Sequence, residues 1–320
     1  MKLYVLDDYQ NVVRTLSASE LLAGRGIDLT ILTTPFADEQ AAIERLRDAD
    51  GLVLIRERTV LSERIINALP SLRLVVQTGR LSGAVDLAAC QRRDITVRDG
   101  GGSPVAPAEL TWALILAAMR RLVPYVGRLQ DGIWQRTAAD LAEEGLGVAV
   151  KGRTLGIWGL GRIGQRVAVV GQAFGMAILV HGRAQTAESA EKLNYEYCAA
   201  REAFLSRADI LSLHLKLTGD TRHLIGPEDL ALMKPGSLLV NTSRAELIRP
   251  GALLAALDKG RPGFAAVDVY EDEPAGAAAY AAHRRVLATP HIGFVERDTY
   301  ENYFATAFGQ VVEFLGVATR

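Results

Sequence analysis

Three side chains in the C-terminal third of the sequence suit a reaction at a carbonyl that sits beside a carboxylate. Arg244 follows the apolar run Leu238-Leu239-Val240, Glu273 follows Ala265-Ala266-Val267, and His291 follows Leu287-Ala288. An arginine fork holds a carboxylate through two parallel hydrogen bonds. A histidine exchanges a proton near neutral pH, and a nearby glutamate favours its charged form. Singly, each has an ordinary explanation: a solvated charge at a strand end, turn chemistry before Pro274, or a loop histidine no different from His181, His214, His223 and His283. Together they stand on three successive strand ends, and ligands of open α/β sheets bind beyond the carboxyl ends of the strands. That grouping makes a site for proton and hydride transfer.

Hydride needs a carrier, and Gly159, Leu160, Gly161, Arg162, Ile163 and Gly164 supply a place for one. The stretch joins the apolar strand Thr154-Leu155-Gly156-Ile157-Trp158 to a helical pattern through Val167, Ala168, Val169 and Phe174. Glycines in that setting let the backbone turn tightly and approach a pyrophosphate, and the helix N-terminus then offers N–H groups to the anion. About 20 residues further on, a site for NAD normally carries Asp or Glu for the ribose hydroxyls. Gly182 occupies that place and Arg183 follows it, so the expected cofactor is NADP or NAD, with NADP favoured. Glu188 and Glu191 nearby dilute any positive pocket, and NAD binding without a carboxylate stays open.

The elements that must position these groups follow from an alternation of short β-rich runs with helical periodicity. Residues 3–6, 28–32, 51–55, 74–76 and 95–97 read as strands, with helical stretches over 17–23, 39–47, 62–68 and 86–91. A second series of strands runs through 154–158, 177–180, 210–213, 237–240, 264–267 and 285–288. The pattern predicts an α/β fold with two parallel-sheet domains, Rossmann-like or flavodoxin-like, and an active-site cleft between them. Asp99-Gly100-Gly101-Gly102-Ser103-Pro104 reads as a hinge before a long apolar helix that has Pro107 in its first turn. A last helix over 300–315 is expected to return to the first domain. The predicted division is 1–103 plus 291–320 for the substrate domain and 104–290 for the dinucleotide domain.

Composition narrows the classes. A chain of 320 residues, 49% hydrophobic and 23% charged, suits about two globular domains. A net charge of −1 gives no global field toward nucleic acid or an anionic membrane. Cys90 and Cys198 form neither a metal-ligand spacing nor a disulfide framework, so no metal is expected. The N-terminal residues do not read as a signal peptide, no apolar run is long enough to span a bilayer, and a cytoplasmic protein is expected.

With these motifs assembled, the chain resembles the D-isomer-specific 2-hydroxyacid dehydrogenases over essentially its whole length. The resemblance rests on the glycine turn, His214-Leu215-Lys216-Leu217-Thr218 with Thr221, Val240-Asn241-Thr242-Ser243-Arg244, Asp268-Val269-Tyr270-Glu271-Asp272-Glu273-Pro274, and Thr289-Pro290-His291-Ile292-Gly293. It implies that Arg244 orients the substrate, that His291 is the acid/base and that Glu273 is its partner. It places His214, Thr221, Thr242 and Asp268 at the cofactor, Asp268 meeting the nicotinamide carboxamide. Thr78, Gly79 and Arg80 would meet the substrate together with Arg244 and His291. Four departures stand out: Ala245 in place of glycine, Lys216 in place of proline, a longer turn over 77–86, and Gly100-Gly101-Gly102-Ser103 in place of an asparagine-containing segment.

The implied activity is NAD(P)-dependent reduction of a small 2-oxo acid to a D-2-hydroxy acid, or the reverse. A D-3-phosphoglycerate dehydrogenase, with Arg56, Arg58 and Arg80 at the phosphate, is the alternative within the family. A non-catalytic dinucleotide-sensing protein on the same fold is the alternative outside it. Nucleic acid and membrane partners are not expected. A homodimer is, because Trp112, Leu114, Ile115 and Leu116 read as too apolar for one domain, and in the resembling family the 121–147 region crosses to the partner's cofactor domain.

Overall fold

The computed structural model describes residues 1–81, 83–135 and 146–318. The chain divides into two compact units, Met1–Ser103 with the C-terminal segment from Val295, and Pro104–Phe294. The second boundary falls after the segment that carries His291, so that histidine belongs to the second unit.

In the first unit the order is β1 (Lys2–Leu6), β2 (Asp28–Ile31), α1 (Glu39–Leu46), β3 (Gly51–Leu54), α2 (Glu63–Ala68), β4 (Leu74–Gln77), α3 (Leu87–Arg92) and β5 (Thr96–Asp99). The strands form a parallel sheet in the order β2-β1-β3-β4-β5. β3 and β4 are buried along their whole length, as a sheet covered on both faces requires. Each helix begins where a side chain accepts a first-turn N–H: Asp38 from Ala41 at 2.8 Å, Ser62 from Ile65 at 3.4 Å and Asp86 from Ala89 at 2.9 Å. Residues Ser17–Leu22 form a 3₁₀ helix rather than an α-helix. Ser19 turns its hydroxyl onto the Val13 carbonyl, a local competition that serine offers to regular helix, and Ser17 bonds Glu301 of the C-terminal segment.

The second unit runs α4 (Val105–Met119), α5 (Leu122–Gln130), β6 (Thr154–Trp158), α6 (Arg162–Ala173), β7 (Ala177–His181), α7 (Ala184–Lys192), β8 (Glu196–Tyr197), α8 (Arg201–Arg207), β9 (Ile210–Leu213), α9 (Pro227–Leu232), β10 (Leu238–Asn241), α10 (Ala252–Asp258), β11 (Phe264–Val267), α11 (Ala277–Ala282) and β12 (Val286–Ala288). All seven strands are parallel, in the order β12-β11-β10-β9-β6-β7-β8. The chain leaves β6 toward β7 on one side and returns to β9 on the other. That reversal is the switch point at which such sheets bind ligands. The final helix, α12 (Arg297–Ala318), belongs to the first unit, where Tyr300, Phe304 and Phe308 are buried.

One expectation is corrected here. Trp112, Leu114 and Ile115 are 6%, 3% and 0% exposed within the single chain, and Leu116 packs on the same core. α4 needs no partner to bury them, because α6 and the sheet cover it; the Trp112 indole N–H even reaches the Val167 carbonyl at 3.1 Å. The exposed apolar stripe lies on α5 instead. Leu122, Val123, Val126 and Leu129 are 54%, 53%, 47% and 56% exposed, and α5 buries no residue. The middle of the 121–147 region, residues 136–145, lies outside the described residues.

Candidate active site

The glycine turn closes β6 onto α6. Gly159 has φ 97°, and a Cβ there would meet the His214 carbonyl oxygen at 2.8 Å, so both conformation and space demand glycine. Gly164 packs against the Gly159 carbonyl with no room for a side chain. A Cβ at Gly161, by contrast, would meet nothing within 4 Å. Gly161 is the N-cap of α6, which has no side-chain cap, so open space lies in front of the first turn of the helix. This cradle fits a dinucleotide pyrophosphate. Leu160 is buried and Ile163 packs into the core, whereas Arg162 is exposed.

The three candidate side chains follow β10, β11 and β12, and the loops that carry Glu273 and His291 are bonded to each other. His291 Nδ1 and Glu273 Oε2 are 2.6 Å apart, and Glu273 Oε1 accepts the Tyr270 N–H at 3.0 Å. The buried Tyr270 hydroxyl donates to the Thr289 carbonyl at 2.7 Å. Its burial pushes the phenol up to about 12, which keeps it a neutral donor. Asp268 is 1% exposed and receives three bonds from the histidine loop. Its Oδ1 accepts from Thr289 Oγ1 at 2.7 Å and Ile292 N–H at 2.8 Å, and its Oδ2 accepts from Gly293 N–H at 2.8 Å. Burial raises the Asp268 carboxyl above the ordinary carboxylate value, against the lowering effect of those donors. His291 itself sits at φ 51°, a left-handed conformation that a non-glycine residue keeps only when its surroundings over-determine it. Phe294 lies edge-on to the imidazole, 5.7 Å between centroids.

Arg244 is placed by the end of β10. Buried Asn241 accepts the Ser243 N–H at 3.1 Å and donates to the Arg244 carbonyl at 2.9 Å. Ser243 Oγ donates to the Leu215 carbonyl at 2.7 Å, and Arg244 Nη1 donates to the Ser243 carbonyl at 2.8 Å. The neighbouring Thr242 hydroxyl pairs at 2.7 Å with that of Thr111, a buried residue of α4.

The remaining residues expected at the cofactor serve the local framework. The His214 ring bonds Ser212 Oγ at 2.9 Å, and burial pushes its pKa down to about 4, so it is neutral at physiological pH. Thr221 Oγ1 accepts the Thr218 N–H at 2.8 Å and donates to the Lys216 carbonyl at 2.6 Å, holding the turn that follows His214. Gly182 stands between β7 and α7, its carbonyl accepting the Tyr197 hydroxyl at 2.8 Å, and Arg183 is the exposed N-cap of α7.

The predicted substrate turn belongs to the first unit. Thr78 is buried, its hydroxyl accepting the Arg56 N–H at 3.0 Å; Gly79 has φ 70° with the Arg56 guanidinium laid against it; Arg80 is exposed. Arg56 pairs with Glu57 at 3.2 Å, while Arg58 donates to the Asp7 carbonyl at 2.7 Å and lies over the Tyr9 ring. Among the described residues there is no cluster of three metal-ligating side chains and no helix long and apolar enough to cross a membrane.

Sequence reasoning passed over Tyr270, Asn241, Thr111 and Ser212. Tyr270 and Asn241 stand inside motifs already quoted, so their positions were visible though their contacts were not. Thr111 carries no signal beyond being one hydroxyl in an apolar helix.

Comparison with known proteins places this geometry in a family. Residues 112–293 match the D-isomer specific 2-hydroxyacid dehydrogenase, NAD binding domain. The chain is 39% identical over 287 residues to a glyoxylate reductase of Aeropyrum pernix, covering 85% of this chain and 84% of that one. It is 36% identical over 256 residues to a D-3-phosphoglycerate dehydrogenase of Methanocaldococcus jannaschii, covering 80% of this chain but only 48% of that protein. Among solved structures, a phosphoglycerate oxidoreductase from Vibrio cholerae superposes with a TM-score of 0.94 at 48% identity, covering 99% of both chains. A D-3-phosphoglycerate dehydrogenase oxidoreductase described as putative, from Ralstonia solanacearum, gives 0.95 at 42%, covering 98% of this chain and 94% of that one.

Proposed function

This chain belongs to the D-isomer-specific 2-hydroxyacid dehydrogenase family, and from that premise we propose that it reduces a small 2-oxo acid to the D-2-hydroxy acid, or runs the reverse reaction, with His291 as the acid/base. The observation that carries the reading is the bond between His291 Nδ1 and Glu273 Oε2, made between two loops that Asp268 and Tyr270 tie together. With Nδ1 engaged by the carboxylate, Nε2 is the nitrogen that exchanges a proton. A bound nicotinamide supplies or accepts the hydride. In the reductive direction His291 Nε2 donates its proton to the substrate carbonyl oxygen, and Glu273 stabilises the imidazolium beforehand. Arg244 holds the substrate carboxylate in a fixed plane, which orients the neighbouring carbonyl. Thr78, Gly79 and Arg80 complete the proposed substrate contacts. Asp268 uses three acceptor positions on the histidine loop and keeps one on Oδ2 for a carboxamide N–H.

Leu160, Arg162, Ile163, His214, Thr221 and Thr242 are assigned to the cofactor with the three glycines of the turn. The missing carboxylate at Gly182 and the charge of Arg183 support a preference for NADP over NAD. The α5 stripe supports a homodimer formed through the cofactor domain, to be checked by light scattering. A cytoplasmic location remains part of the reading. The D-3-phosphoglycerate alternative is favoured by the Vibrio and Ralstonia structures, but Arg56 and Arg58 are already engaged by Glu57, Asp7 and Gln10. A small uncharged side chain on the 2-oxo acid therefore fits better.

The experiment is a panel of glyoxylate, hydroxypyruvate, 2-oxobutyrate and 3-phosphohydroxypyruvate with NADPH and NADH, run on the parent and on His291→Ala. The variant should lose about a hundredfold or more in kcat while binding cofactor normally. Turnover of none of the four by the parent, or near-parental turnover by the variant, contradicts the assignment.

A further inference from the structure

Gly182 occupies the position where a ribose-binding carboxylate is usual, and its surroundings explain more than the loss of an acid. Its φ lies outside the left-handed region, so backbone conformation does not require glycine there. Space does. A Cβ built on Gly182 would lie 2.6 Å from Thr186 Oγ1 and 2.9 Å from both Thr186 Cβ and Cγ2. Thr186 is in the first turn of α7, where its N–H bonds the Arg183 carbonyl at 2.7 Å, and the Tyr197 hydroxyl holds the Gly182 carbonyl from β8. The Thr186 Cβ is part of the helix and cannot swing aside, so a side chain at 182 forces the first turn of α7 to move.

We propose that Gly182 and Thr186 act as one specificity-determining pair. Absence of a side chain at 182 lets α7 seat its first turn on the end of β7, and Thr186 fills the room from which a carboxylate would reach the ribose hydroxyls of NAD. Thr186 is thus the residue that blocks recovery of NAD selectivity, and Asp at 182 is insufficient by itself. The inference rests on the NADP reading for its functional consequence, while the packing itself stands independently of it.

The test is a cycle of Gly182→Ala and Thr186→Gly, singly and together, with NADPH and NADH dissociation constants measured by calorimetry. Overpacking of about 1–3 kcal/mol predicts that Gly182→Ala weakens both cofactors by roughly five- to a hundredfold. In the Thr186→Gly background the same change should cost less than about twofold, because the obstructing atoms are gone. Gly182→Asp should improve the NADH-to-NADPH affinity ratio by about tenfold or more only when combined with Thr186→Gly. If Gly182→Ala lowers folding yield, the same cycle read by thermal unfolding must show the same coupling. An equal penalty in both backgrounds, or a full switch from Gly182→Asp alone, overturns the proposal. Preference of the parent for NADH would overturn the NADP reading, and the alanine cycle would still decide the packing.

Discussion

Asp268→Asn weighs holding the histidine loop against contacting the cofactor, through the size of the effect on kcat and on cofactor binding. The amide keeps one oxygen for Thr289 Oγ1 and Ile292 N–H, but its NH₂ then faces the Gly293 N–H, donor against donor. One hydrogen bond to a charged acceptor is lost, a change of about 1.5–3 kcal/mol. Part of this returns, because burial already disfavours the carboxylate at 268, and the neutral amide escapes that penalty. The net loss at the loop is therefore about 1–2 kcal/mol. That is comparable with the roughly 1–3 kcal/mol that His291 stores at its left-handed φ. A loop so weakened relaxes, and a displacement near 1 Å costs about a hundredfold in rate. We expect kcat to fall about ten- to a hundredfold and cofactor affinity to fall by less, up to about tenfold, because the amide also replaces the Oδ2 acceptor kept for the carboxamide. Steady-state kcat, cofactor binding by fluorescence and urea unfolding on the same preparation provide the assay. Cofactor binding weakened more than about tenfold, with kcat unchanged, would refute the positioning role and make Asp268 a carboxamide contact alone. The pH dependence has a definite sign. The raised carboxyl makes the native parent lose stability as pH rises from the ordinary aspartate value through the raised one, and the asparagine variant lacks that loss.

Arg244→Lys exchanges a planar fork for a point charge and should raise KM and lower kcat together, with unchanged kinetics placing the arginine outside the pocket. Glu273→Gln replaces the carboxylate that holds His291 Nδ1, so kcat should fall about tenfold or more with cofactor affinity unchanged; a parental kcat assigns the histidine another partner. The His214 ring, pushed down to about 4, stays neutral in the fold while the unfolded chain takes up a proton near 6.5. Stability should therefore be lost as pH falls from about 6.5 to 4, by up to ~3 kcal/mol, and His214→Gln should flatten that loss in urea titrations at pH 7, 5.5 and 4.

The two parallel sheets were readable because strands buried on both faces appear as unbroken apolar runs, β3 and β4 being plain cases. β8 is two residues long and carries one glutamate, which leaves nothing for periodicity to register. The apolar face of α4 was visible, but apolarity does not say what covers it. Trp112 and Ile115 read as surface awaiting a second subunit, whereas α6 and the sheet already enclose them. α5, with four exposed apolar residues, is amphipathic by the same criterion, yet only the fold reveals that its apolar side faces outward.

The candidate site divides along the same line. Arg244, Glu273 and His291 were legible because their chemistry is written in residue type and strand-end position. Thr111 was not, since its bond to Thr242 joins residues far apart in the chain and neither type is unusual. Tyr270 stood in view, but the contact that matters, to the Thr289 carbonyl, depends on the spacing of two adjacent strands. Gly182 is the instructive case. In the sequence it reads as a missing carboxylate, a statement about electrostatics; in the fold it is a point of close approach that Thr186 exploits. A rule that infers cofactor choice from charge alone treats 182 as a free position. The packing of α7 on that glycine says it is not free: charge at 182 becomes available to the ribose only after the helix has been given somewhere to go.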